Sequence, residues 1–180
     1  YGNINSAMAY YKQALSYQDL EQGSKPNIVF PELLKDFGVI FSLQNMTDSA
    51  RAYFQKAIEI VSEFYPKNLS EQATLKSFFA MTYYYDFKPQ PALAEMRKAM
   101  EVLSGVELTI KMKYALSGQY TNYTDIFTLA GYYDSALYML NKKKELEDSF
   151  VKQNSGEQAY ILMQRSNLLG LKGNIQQAIV

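Results

Sequence analysis

Hydrophobic positions in this chain recur on two scales at once. In short windows they fall at i, i+3, i+4, i+7, the stripe that one face of an α-helix presents, and the windows return at a near-constant interval. One stripe is large with a small residue in its middle: Leu34-Phe37-Gly38-Phe41, Tyr120-Tyr123-Thr124-Phe127 and Leu162-Arg165-Ser166-Leu169, with Phe79-Ala80-Tyr83 as a shorter copy. The other runs small, large, small: Ala7-Tyr11-Ala14, Ala50-Phe54-Ala57, Ala92-Met96-Ala99 and Ala136-Leu140-Lys143. Its leading alanines, Ala7, Ala50, Ala92, Ala136 and then Ala178, lie 43, 42, 44 and 42 residues apart. Each follows by five residues a junction residue, Gly2, Asn45, Phe87, Gly131 or Gly173. Gly and Asn are the residues that most readily take the left-handed conformation ending a helix. The repeating unit is therefore helix A, tight turn, helix B, and since one pair buries little alone, neighbours must stack to complete a core.

This pattern predicts B helices over about 3–18, 46–64, 90–103 and 132–152, and A helices over about 27–44, 70–86, 108–130 and 156–172. Asn68 and Glu71 have capping-box spacing, and Pro91 suits a first helical turn, where its missing N–H costs nothing. Pro31 leaves two options: the helix starts there, or starts nearer Asn27 and bends. Gly118 falls inside an overlong A helix and is expected to mark a break. No linker divides the chain, so residues 1–180 read as one helical-repeat domain, with pairs at roughly 27–64, 70–103, 108–152 and 156–180 and a lone second helix at 1–18. Because residue 1 is Tyr and both ends fall in mid-repeat, the array is expected to be truncated at both ends, leaving uncapped faces that could self-associate.

The two stripes and the junction between them resemble the tetratricopeptide repeat, whose signature runs large-x-x-large-small-x-x-aromatic, then small-x-x-x-aromatic-x-x-small. The resemblance covers essentially the whole chain. It departs from the family pattern in lacking Trp, in Lys143 at a small-residue place, in Arg165 at an apolar one, and in lacking the Pro that usually closes helix B. The long period is similar to the variety found in kinesin light chains and many bacterial signalling proteins. The resemblance implies an all-α fold, a right-handed superhelical array of antiparallel helix pairs with about four repeats, and a non-catalytic role binding proteins or peptides.

Composition narrows the chemistry. Eighteen Lys and Arg balance eighteen Asp and Glu, so bulk charge draws the domain to neither nucleic acid nor anionic membrane. No apolar run approaches a bilayer span. There is no His and no Cys, which removes zinc constellations and the Cys-His and Ser-His-Asp nucleophile systems. The scattered glycines form no phosphate loop. Glu32 with Asp36 reads as a solvated helix face, and Lys142-Lys143-Lys144, followed by Glu145, Glu147 and Asp148, as an exposed helix end. No catalytic, cofactor-binding or metal site is expected.

What remains is a surface. In tetratricopeptide arrays the A helices line a concave groove. Carried over, this implies groove positions at Lys35, Val39 and Ser42, at Phe78, Met81, Tyr84 and Tyr85, at Asn122 and Asp125, and at Gln164 and Asn167. Only Lys35 fits the basic clamp by which chaperone-binding members hold a carboxylate tail. The lining is instead aromatic, methionine and amide, suited to a protein or extended peptide. Two roles fit: the sensory or docking part of a signalling protein, or a scaffold in a multiprotein complex. The phrase from Gly131 to Ala136 is similar in style to tetratricopeptide-containing regulators of Bacteroidetes. That likeness leans towards a periplasmic setting, with the compartment otherwise open.

Overall fold

The computed structural model describes residues 26–150 and 155–173, together with Ser6, Ala9, Tyr10, Lys12, Gln13 and Ser16. The expected helix over 3–18, apart from those six helical positions, and the repeat beginning at Ala178 lie outside the described residues. Among the described residues seven helices follow one another: α1 (Val29–Leu43), α2 (Thr47–Phe64), α3 (Leu69–Tyr85), α4 (Pro89–Glu101), α5 (Ile110–Leu129), α6 (Tyr133–Asp148) and α7 (Ser155–Leu171). Odd-numbered helices are the A helices and even-numbered ones the B helices. Each packs on its successor, and α3 also packs on α5, giving an α-solenoid.

The junctions carry the period. Asn45, Phe87, Gly131 and Gly173 all take positive φ, at 60°, 57°, 76° and 86°. Three of the turns close with the same pair of backbone bonds. Met46 N–H reaches Phe41 C=O and Asn45 N–H reaches Ser42 C=O; Lys88 to Tyr83 with Phe87 to Tyr84, and Tyr132 to Phe127 with Gly131 to Thr128, repeat it. This arrangement satisfies carbonyls that a helix end would otherwise leave unpaired.

The core is built in three blocks, each straddling a repeat boundary. Phe30 and Leu34 of α1, Ala50, Phe54, Ala57 and Val61 of α2, and Leu75 of α3 form the first. The second joins Ala80 and Met81 of α3, four residues of α4, and Tyr123 and Ile126 of α5; the third joins Ala136 and Leu140 of α6 to Ile161 and Leu168 of α7. Ala50, Ala57, Ala92, Ala99 and Ala136 are completely buried, as close helix approach requires. Gly38 is needed for the same reason: a Cβ there would meet the Phe54 ring at 2.5 Å. The corresponding residues of later repeats, Ala80 with Met96 and Thr124 with Leu140, trade size in the opposite sense, and all four are buried.

Several boundary expectations change. Asn68 makes no side-chain cap. Its Oδ1 accepts from Ser70 instead, and Glu71 is taken up by Lys35 of the preceding repeat at 3.1 Å. The helix around Pro31 starts near Asn27, whose Oδ1 accepts from Val29 N–H, and the proline sits in the first turn where its N–H is not needed. Gly118 does not break α5, which runs unbroken from Ile110 to Leu129. Of the stripe read by spacing, Leu169 is buried but Leu162 is 65% exposed; α7 buries Ile161 and Leu168 instead. Lys142 and Lys144 are surface residues pairing with Glu145 and Asp148, but Lys143 is buried.

Candidate functional site

Helices α3 and α5 lie side by side, and their facing stripes form a cavity of about 130 Å³. Thr74, Ser77 and Phe78 line it from α3, and Tyr114, Ala115, Gly118, Gln119 and Asn122 from α5. Gly118 lines it with bare, exposed backbone, since a Cβ there would meet nothing within 4 Å. Phe78 is held by a stacked ring contact with Phe54 at 5.7 Å, which turns one of its faces to the core. Asn122 donates through Nδ2 to Ser77 Oγ at 2.8 Å, and Ser77 in turn contacts Met96 Sδ at 3.4 Å.

Gln119 went unnoticed by pattern reading. It stands where the neighbouring repeats place Leu33, Leu75 and Ile161, so a repeat-to-repeat comparison of that column would have exposed it. Its Nε2 donates to Ala73 C=O at 3.1 Å and to Ala99 C=O at 3.0 Å, the latter near the C-terminus of α4 where carbonyls lack helical partners. Its Oε1 is buried with no hydrogen-bond partner among the described residues.

Two turns along α5 from Gly118 stands Asp125, half-buried. Burial pushes its carboxyl up to about 6, with the charge of Lys143 partly opposing the shift. The Asp125 charge reaches Tyr84 and Tyr85 of α3 and Tyr160 of α7, whose phenols are pushed up first by burial and then by that carboxylate. Tyr84 and Tyr85 meet edge to face at 5.5 Å. Lys143, occupying the place of Ala57 and Ala99 in the earlier repeats, lies behind. It pairs with Glu157 and, at 3.8 Å, with Glu147, and its Nζ sits 4.8 Å from the Tyr160 ring centre. Ser117 donates to Glu147.

The other expected groove residues divide. Lys35 is engaged by Glu71, Ser42 donates to Gly38 C=O at 2.9 Å, and Val39 packs against the first core block. Met81 is not a groove residue: it is 6% exposed and belongs to the second core block, because α4 and α5 together cover that face of α3. Gln164 hydrogen-bonds Tyr160, and Asn167 is exposed. Phe78 and Asn122 thus line the α3–α5 cavity, Tyr84 and Tyr85 interact with Asp125 beyond it, and Gln164 is linked to that group through Tyr160. Lys35, Val39 and Ser42 stay apart on α1. Among the described residues no group of His, Cys, Asp or Glu could hold a metal ion, and no helix is long and apolar enough to cross a membrane.

The sequence matches no family model and no curated protein. The fold, however, has solved counterparts. BtubC (BKLC) from P. vanneervenii superposes with a TM-score of 0.77 at 15% identity, over 98% of this chain and 69% of that one. The apo form of RapI gives 0.78 at 15% identity over 99% of this chain, which spans 61% of RapI. A Podosopora anserina protein described as a kinesin light chain with nearly identical TPR-like repeats gives 0.69 at 10% identity, over 98% of this chain and 82% of that one.

Proposed function

We propose that this chain, whose fold is the tetratricopeptide-like α-solenoid, is a non-catalytic protein-interaction module whose groove receives an extended peptide. The observation that carries the reading is the cavity between α3 and α5. It joins aromatic walls, Phe78 and Tyr114, to a bare helix backbone at Gly118 and to an amide with capacity to spare. Asn122 gives one amide hydrogen to Ser77, which leaves an acceptor and a second donor for a peptide backbone. An aromatic cleft with a few placed polar groups is the usual form of a recognition site.

The cavity also supplies its own test. Gly118→Leu puts a side chain into open space in mid-helix, where leucine is favoured over glycine by roughly 1 kcal/mol. Short random peptides displayed on phage are selected on the wild-type chain, and their affinities are compared with those for the variant. A loss of about tenfold or more with no fall in Tm is expected. Failure to enrich any peptide, or enriched peptides indifferent to Gly118→Leu, would sink the proposal.

In its finer form the module is the sensory or docking part of a larger regulatory protein, a role supported by the style of the Gly131–Ala136 phrase. The alternative is a scaffold without an output domain. Sequencing the parent gene separates them: a membrane segment followed by a kinase or helix-turn-helix domain supports the first, further repeats alone the second.

A further inference from the structure

We infer that the groove selects a basic peptide, seating the cation of a lysine or arginine side chain against Asp125 between Tyr84, Tyr85 and Tyr160. This rests on the groove reading above and adds the charge and spacing of what the groove holds.

Register supports the placement. Gly118, Asn122 and Asp125 stand at i, i+4 and i+7 of α5, a single stripe, and Phe78 and Tyr85 stand at i and i+7 of α3. Asp125 therefore continues the line of the cavity rather than belonging to another face. Among the described residues no hydrogen bond stabilises its anion, and the one positive charge acting on it is that of Lys143. That ammonium is already engaged with Glu147 and Glu157, so three carboxylates share one cation. The excess is negative and half-buried, where a second cation gains more than it would in open water. The Tyr84 and Tyr85 rings offer π-faces, which attract ammonium and guanidinium groups, while Tyr160 already carries Lys143 on one face and has only the other to give. At the cavity end, Gln119 is 99% buried and its Oε1 alone has no partner, an unused acceptor for a neutral donor, so the two ends of the stripe ask for different side chains.

Seven residues of helix rise about 10.5 Å, which an extended chain covers in about three residues. The expected motif is an uncharged anchor with a lysine or arginine about three residues away.

The test uses the full 180-residue chain and degenerate synthetic peptide libraries. In each library one position is fixed as lysine, arginine, norleucine or glutamate, and binding is read by fluorescence polarisation. Lysine and arginine libraries are expected to bind about tenfold tighter than norleucine, with glutamate weakest. Asp125→Asn removes that preference while leaving norleucine peptides unaffected. A second measurement needs no variant. The groups facing Asp125 are Lys143 of α6 with Glu147 and Glu157 behind it, Tyr84 and Tyr85 of α3, and Tyr160 of α7, and the phenols are shifted further from neutrality. Protonation of Asp125 therefore weakens lysine-peptide binding by about tenfold between about pH 7 and pH 5, with norleucine peptides unchanged. Peptides that bind and are blocked by Gly118→Leu, yet show no cation preference or keep it in Asp125→Asn, overturn this inference alone. If no library binds the wild-type chain, the groove reading fails with it.

Discussion

Phe87 is a bulky residue in a conformation that suits glycine. At φ 57° it sits where the equivalent junctions use Asn45, Gly131 and Gly173, and its side chain is 80% exposed, so little packing offsets the steric cost. Phe87→Gly should stabilise the chain by about 1 kcal/mol, raising Tm by roughly 2–4 °C; calorimetry showing no rise would contradict the strain. Asp125 also costs stability at neutral pH. Its folded-state carboxyl, at about 6, lies above the value near 3.9 of an unfolded chain. The folded state therefore binds the extra proton, and the stability this confers is full below about pH 4 and lost as pH rises through about 6. Asp125→Asn should gain on the order of 1–3 kcal/mol at pH 7 and flatten the dependence between pH 4 and 6, read by urea denaturation across pH. Asp125, Tyr84 and Tyr85 were legible as incompletely buried residues flanking the core stripes, the positions where the tetratricopeptide resemblance implies a groove. Met81 and Lys143 were not, since their burial depends on which neighbouring helix covers them, and spacing within one helix carries no such information.

At the level of elements, the described helix limits lie within a few residues of those read from the pattern, because glycine, asparagine and proline act locally. The exceptions are interactions that cross repeats. Glu71 had capping-box spacing but is drawn to Lys35, and Gly118 had the look of a break but lies in a helix held on both sides by α3, α4 and α6. The contact between Gly38 and Phe54 is likewise invisible within either helix. Gly38→Ala should cost about 1–3 kcal/mol by overpacking the ring. Adding Phe54→Met, the pairing already present as Ala80 with Met96, should return much of that loss. A double-mutant cycle in urea measures the coupling, and additive effects would mean the two positions do not share one packing site.

Across the whole molecule, stability is a chain of neighbour interfaces rather than one central core. Each of the three core blocks is completed by the next repeat, and polar contacts tie successive junctions along one edge: Arg51 to Asp86 at 3.0 Å, Gln90 to the Tyr132 hydroxyl at 3.2 Å, and Lys172 to Asp134. Helix α3, packed by α2, α4 and α5, should exchange its amide hydrogens most slowly, with α1 and α7 faster. Uniform protection across all seven helices would instead indicate a single cooperative unit. The size-matched pairs bear on ancestry as well. Positions 38 and 54, 80 and 96, and 124 and 140 are each sixteen residues apart within one repeat. A recombination breakpoint falling between the members of a pair would set phenylalanine against alanine, or leucine against glycine. One falling between a B helix and the next A helix would pass every pair on intact. Duplication of such a gene is therefore channelled to crossovers in those connecting loops, and whole helix pairs, rather than arbitrary stretches, become its heritable units.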